Sequence, residues 1–217
     1  MLRSYVKRTG HFTSAQKKAY ESLSPEYIIP FCEDKLDFHN IFSNDNIILE
    51  IGFGCGFATA EISQANPDKN YIGIEVHKPG IGKLLWEIEK RNLKNIKIIE
   101  YDAVLVLEKM IPHNSLDGIH IFFPDPWPKK KHNKRRLIKR PFTDTLAKCL
   151  KKGGYIFMVT DWEDYADSAL FELTSTEGLL NSCGGFAPPQ SWRPMTRFEQ
   201  KGREKNHEIR ELLFNKI

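Results

Sequence analysis

The chain predicts an α/β fold, a mostly parallel seven-stranded sheet with helices on both faces. Three observations carry that expectation: short apolar runs alternate with segments of helical length, a glycine-rich turn follows the first run, and an acid stands at or just past the end of successive runs. At 217 residues, one domain is the default.

Residues 47–51, Ile-Ile-Leu-Glu-Ile, read as the first strand. They stop at Gly52-Phe53-Gly54-Cys55-Gly56, after which 58–64 reads as a helix, the opening of a βαβ unit. The turn residues Asn66-Pro67-Asp68 precede a second strand over 71–76, and 81–91 has an amphipathic helical pattern. A third strand over 96–100 leads through Tyr101-Asp102-Ala103 into a short helix ending near Met110. The fourth strand, 116–123, runs into Pro124-Asp125-Pro126-Trp127-Pro128, whose three prolines forbid a continuing strand or helix. A helix over 141–150 starts with proline in its first turn and ends before Gly153-Gly154. Residues 155–160 form the fifth strand, 162–174 the next helix, and the tail through Cys183, Phe186 and 209–214 supplies the last two strands.

The net charge of +4 conceals an uneven distribution. Eight Lys or Arg and no acid lie between Lys129 and Arg140, and five with no acid lie between Met1 and Lys18. The remaining 19 basic and 28 acidic residues leave the body at −9. A solvated face intersperses both signs, so the basic run points to a polyanion partner. No long apolar stretch or apolar N-terminal run is present, which makes the cytoplasm the expected compartment and a membrane partner unexpected. Cys32, Cys55, Cys149 and Cys183 are too scattered for a CxxC pattern, the seven histidines form no metal motif, and reduced thiols without a metal are expected.

In a sheet of this kind ligands sit beyond the carboxyl ends of the strands. Glu50, Glu75, Asp102, Asp125 and Asp161 all fall there. Any one could be a helix cap, but five in succession make a pocket. The turn Gly52-x-Gly54-x-Gly56 departs from the GxGxxG dinucleotide pattern, and Glu50 beside it repels phosphate and attracts a cation. S-adenosylmethionine combines an adenosine with a cationic amino group and a sulfonium, and is the expected cofactor. Glu75 stands where a strand-end acid meets ribose hydroxyls, and Asp102 would reach the adenine amine.

Beyond these readings, the residues 122–136, Phe-Phe-Pro-Asp-Pro-Trp-Pro-Lys-Lys-Lys-His-Asn-Lys-Arg-Arg, resemble the FPDPW-x-K-x-x-H-N-K-R-R block of the bacterial tRNA (guanine-N7-)-methyltransferases. Leu49-Glu50-Ile51-Gly52-Phe53-Gly54, Gly73-Ile74-Glu75-Val76-His77, Thr160-Asp161-Trp162 and Thr196-Arg197-Phe198-Glu199 extend the likeness over nearly the whole chain. The N-terminal Arg8-Thr9-Gly10-His11-Phe12-Thr13 through Gln16 is similar to a family segment, with His11 where an arginine is usual. The resemblance implies a Rossmann-like class I S-adenosylmethionine-dependent methyltransferase fold. It implies methyl transfer to N7 of the tRNA guanine numbered 46 in the usual scheme, in the variable loop. It places Glu50, Gly52, Gly54, Glu75, Asp102 and Asp125 at the cofactor, with Asp125 also catalytic, and Lys129, Asp161, Thr196, Arg197, Phe198 and Glu199 at the substrate. Lys131, His132, Asn133, Lys134, Arg135 and Arg136 are the expected RNA contacts, tRNA is the expected partner, and residues 1–30 form a basic RNA-contacting segment ahead of a methyltransferase domain over 31–217.

The chemistry agrees with that implication. Guanine N7 has a free lone pair and no proton, so its attack on a sulfonium methyl needs neither a general base nor an enzyme nucleophile. Cys55 and Cys149 read as small packing residues, and Asp125, Asp161 and Glu199 are acids able to oppose the positive charge that methylation puts on the ring. A small-molecule methyltransferase has no use for eight clustered cations, an RNA-binding module leaves the strand-end acids unexplained, and a ribosomal RNA methyltransferase would differ only in its target.

Overall fold

A computed structural model describes residues 4–5, 10 and 12–217. Seven strands form one sheet: β1 (Ile47–Ile51), β2 (Asn70–Ile74), β3 (Ile96–Ile99), β4 (Leu116–Phe122), β5 (Leu150–Thr160), β6 (Leu179–Asn181) and β7 (Arg210–Lys216). Their order is β3-β2-β1-β4-β5-β7-β6, with β1 to β5 parallel and β7 antiparallel to both β5 and β6. The mostly parallel seven-stranded sheet is as the sequence predicts.

The pleat divides the core in two. Leu49, Ile119, Ile121, Ile156 and Met158 point to one face, where α4 (Ala103–Lys109), α5 (Phe142–Cys149) and α6 (Glu163–Thr174) cover them. Ile48, Tyr71, Phe122 and Phe157 point to the other, with α1 (Ser14–Tyr27), α2 (Phe57–Ala65) and α3 (Lys78–Arg91). Because β1 is buried on both faces it is apolar throughout, apart from Glu50.

The strand pattern of the sequence does not mark α1. The hydroxyl of its cap Thr13 accepts from Gln16 N, and the Gln16 side chain accepts from Thr13 N in return. The helix lies on α3, and Ile29 N donates to Ile98 O at 2.8 Å, so residues 14–29 pack as part of the same body as the sheet. Of the N-terminal likeness, Arg8, Thr9 and His11 lie outside the described residues.

The glycine pair expected to precede the fifth strand lies inside it. Leu150 pairs with Leu116, but Tyr155 already pairs with Gly118, so residues 151–154 bulge between two ladder positions. Gly153 takes φ +81° in that bulge, and a side chain on Gly154 would strike the Leu116 carbonyl. One further helix, α7 (Arg197–Glu204), carries part of the Thr196–Glu199 likeness and interrupts the region expected to hold only strands.

Candidate active site

The strand-end acids gather along the carboxyl edge of the sheet. Gly52 N continues the ladder to Ile74 O (2.8 Å), and the glycine turn then folds over the end of β2. Gly52, Gly54 and Gly56 have φ of +74°, +60° and +67°. A Cβ on Gly52 or Gly54 would meet nothing within 4 Å, so bare backbone faces open space there.

Glu75 ties the turn to β2: Oε2 accepts from Gly54 N at 2.8 Å, and Oε1 from Val76 N at 2.6 Å and His77 N at 3.0 Å. Asp102 caps α4 through Oδ1, which accepts from Val104 N (2.9 Å) and Leu105 N (3.4 Å).

Glu50 is different. It is 3% exposed, and its Oε2 is buried with no hydrogen-bond partner among the described residues. Burial pushes its carboxyl up to about 7, a rise that the Thr59 hydroxyl opposes and Glu75 reinforces. A buried carboxylate with one oxygen unpartnered among the described residues, two positions ahead of an open glycine turn and with a second carboxylate at the next strand end, fits a cationic ligand carrying a hydroxylated sugar. These residues fit S-adenosylmethionine.

That geometry has a cost with a definite pH dependence. A folded carboxyl titrating near 7 against about 4.3 in the unfolded chain leaves stability undiminished below pH 4, and removes it as pH rises through 7. Glu50→Gln is therefore expected to stabilise the cofactor-free protein by about 2 to 4 kcal/mol at pH 8 and by little at pH 4.5, while weakening cofactor binding. Denaturant unfolding of both proteins at the two pH values checks the sign.

Past β4 the chain makes a clamped loop. Phe123 (φ +50°) and Trp127 (φ +47°) bracket Pro124-Asp125-Pro126, both in the left-handed region that non-glycine residues avoid. Phe123 N donates to Val159 O (2.8 Å), and Arg136 Nε donates to Pro126 O (3.0 Å). Arg136 is 4% exposed and also holds α6, through Asp164 O at 3.2 Å and Asp164 Oδ2 at 2.5 Å. Trp127 is buried, with Arg135 over its ring at 4.4 Å.

The basic run thus divides between clamp and surface. Arg136 lies in the interior as a structural clamp, where a phosphate cannot reach it. The Asn133 amide, with its nitrogen facing them, donates to the carbonyls of Trp127 (3.0 Å) and Lys129 (3.2 Å). His132 sets its ring edge-on to Trp127. Lys129, Lys130, Lys131 and Lys134 stand exposed on the short 3-10 helix Lys130–Arg135 and its cap. Four phosphate contacts give a slope of about −3 to −4 for log tRNA affinity against log salt. Reversing Lys130, Lys131 and Lys134 to Glu is expected to flatten the slope, whereas Arg136→Ala should instead cost about 2 to 4 kcal/mol of stability. Salt-titrated filter binding and chemical denaturation separate the two effects.

Asp161, just past β5, meets the segment around α7. Its Oδ2 lies 3.1 Å from His207 Nδ1, and its carboxylate packs on Gly202, where a side chain would collide with it. Thr196 caps α7 by accepting from Glu199 N at 3.1 Å, and leaves Arg197 and Phe198 exposed. Glu199 is turned inward at 2% exposure and paired with Arg193 and Arg203. Arg193 was not singled out by sequence; its buried ion pairs reach Glu199, six residues on, and Glu211, 18 residues on, which no local pattern links. Among the described residues, no cluster of three or more His, Cys, Asp or Glu could hold a metal ion, and no helix is long and apolar enough to cross a membrane.

Comparison with known proteins matches residues 44–212 to the family described as "Putative methyltransferase". The chain is 52% identical over 216 residues to the tRNA (guanine-N(7)-)-methyltransferase of Nitrosomonas eutropha, covering 99% of this chain and 96% of that protein. It is 47% identical over 218 residues to the enzyme of that name from Francisella tularensis subsp. novicida, covering 100% and 95%. Among solved structures, the 16S rRNA methyltransferase KamB superposes with a TM-score of 0.59 at 14% identity, covering all of both chains. The aminoglycoside resistance methyltransferase NpmB1 does so at 0.53 and 16%, covering 83% of this chain and 91% of its own. Both share the fold.

Proposed function

This chain belongs to the tRNA (guanine-N(7)-)-methyltransferase family, and on that premise we propose that its strand-end acids hold S-adenosylmethionine against the N7 edge of guanine 46 in the tRNA variable loop. The reaction is methylation of guanine N7 in tRNA. The single observation that carries the donor site is the buried Glu50 carboxylate, whose Oε2 has no hydrogen-bond partner among the described residues, two positions ahead of the open glycine turn.

When bound, S-adenosylmethionine supplies an electrophilic sulfonium methyl that the N7 lone pair can attack directly. Glu50 neutralises the cationic amino group. Glu75, already fixed by three backbone N–H donors, accepts from the ribose hydroxyls, and Asp102 accepts from the adenine amine. Gly52 and Gly54 let the backbone approach without a side chain between. Asp125, on its clamped loop, would stand at the seam between donor and base and oppose the charge that methylation puts on the ring. Asp161 and the Thr196–Glu199 segment orient the guanine, while the exposed lysines at 129–134 bring the tRNA backbone into register. The basic residues of 1–30 add a second strip of RNA contact, and the enzyme works in the cytoplasm beside its substrate.

Incubation with unmodified tRNA and methyl-labelled donor, followed by nuclease digestion and mass analysis, tests this reading. Label is expected as 7-methylguanosine in the variable-loop fragment. Label in another nucleoside, or none in the tRNA, would overturn it.

A further inference from the structure

The two cations on Glu199 are not equivalent. Arg193 holds Oε2 from inside: its side chain is 5% exposed and it also reaches Glu211 Oε1 at 2.7 Å. Arg203, one helical turn on, holds Oε1 from outside through two donors, Nε at 3.1 Å and Nη2 at 2.8 Å, with its side chain 55% exposed. Although burial favours the neutral acid, the two guanidiniums keep the Glu199 carboxyl below its usual range, so it is purely an acceptor. Beside Arg203 opens a cavity of about 280 Å³ lined by Pro189, Arg203, His207, Glu208, Ile209 and Glu211, with His207 reaching across to Asp161.

The chemistry of the outer contact resembles that of a particular base. A guanidinium offers two parallel N–H donors from one planar carbon, and guanine offers the same fork through N1–H and N2–H about its C2. Adenine and cytosine each pair one amine with an unprotonated ring nitrogen, and so lack it. Removing the inner cation would strand a buried charge, whereas Arg203, itself 55% exposed, can swing into solvent once another donor takes its place on the buried carboxylate. The geometry points to Arg203 as an internal placeholder for the target base: without tRNA its guanidinium puts two donors on Glu199 Oε1, the oxygen that receives guanine N1–H and N2–H, and base entry displaces it. This rests on the reading of Glu199 as a guanine contact, and adds that the contact is gained by exchange and selects for the two-donor fork.

The test is methylation at saturating donor and constant ionic strength with tRNA titrated, for the parent protein, Arg203→Met, Arg203→Lys and Glu199→Gln, each shown to be folded by thermal melting. A placeholder taxes apparent affinity, so Arg203→Met is expected to lower the half-saturating tRNA concentration about threefold or more. Millimolar guanidinium chloride should raise it again in Arg203→Met, relative to sodium chloride, and have less effect on the parent. Arg203→Lys, a cation without the fork, should fall between. An unchanged or higher half-saturating concentration in Arg203→Met, or no response to guanidinium, overturns the exchange. If Glu199→Gln methylates tRNA like the parent, the Glu199 contact itself is wrong, a failure separable from that of the exchange.

Discussion

Asp125→Asn is expected to cut the rate of methyl transfer about a hundredfold, with tRNA affinity nearly unchanged. Asparagine keeps the size and one acceptor but removes the negative charge that opposes the cationic product. The loop should hold its shape, because Arg136 clamps it through the Pro126 carbonyl and Asp164, and Phe123 is pinned to Val159. A hundredfold loss corresponds to about 2.7 kcal/mol, the size of one preorganised transition-state contact. Single-turnover methylation at saturating tRNA and donor is the measurement. A near-normal rate with a raised donor requirement would make Asp125 a donor-binding residue and pass the electrostatic role to Asp161 or Glu199.

Glu75→Ala should weaken donor binding by about 1.5 to 3 kcal/mol, or ten- to a hundredfold, through loss of charge-assisted bonds to the ribose. The structure adds a second consequence. Glu75 also accepts from the N–H groups of Gly54, Val76 and His77, so the substitution releases the glycine turn from β2. Glu75→Gln is therefore expected to be almost as damaging as Ala: its amide NH2 must confront either Gly54 N or the pair Val76 N and His77 N, donor against donor. Titration calorimetry of both variants decides this. A Gln variant that binds donor like the parent would mean the three backbone contacts are dispensable.

What was legible in the sequence is what depends on near neighbours. Apolar runs bounded by turn residues set the strands, and the right-handed parallel arrangement puts their carboxyl ends on one edge, so Glu50, Glu75, Asp102, Asp125 and Asp161 could be placed along that edge before any contact was known. Charge counting separated the basic run from the acidic body for the same reason: it needs only adjacency.

Tertiary structure alone decided the rest. A glycine pair reads locally as a break, yet Gly153 and Gly154 lie within β5, because the ladder to β4 tolerates a bulge that only glycine fits. Arg136 sits in a run of cations and reads as one more phosphate ligand, but Pro126 and Asp164 draw it inside. Glu199 belongs to a recognisable motif, yet its inner partner Arg193 is fixed by Glu211 on β7, and no pattern in the sequence pairs them. By itself the sequence determined the sheet, the acids at its edge and the place of the basic run. Which charges stay at the surface was left to packing, since burying an ion is tolerated only where distant segments supply its counter-charge and hydrogen bonds.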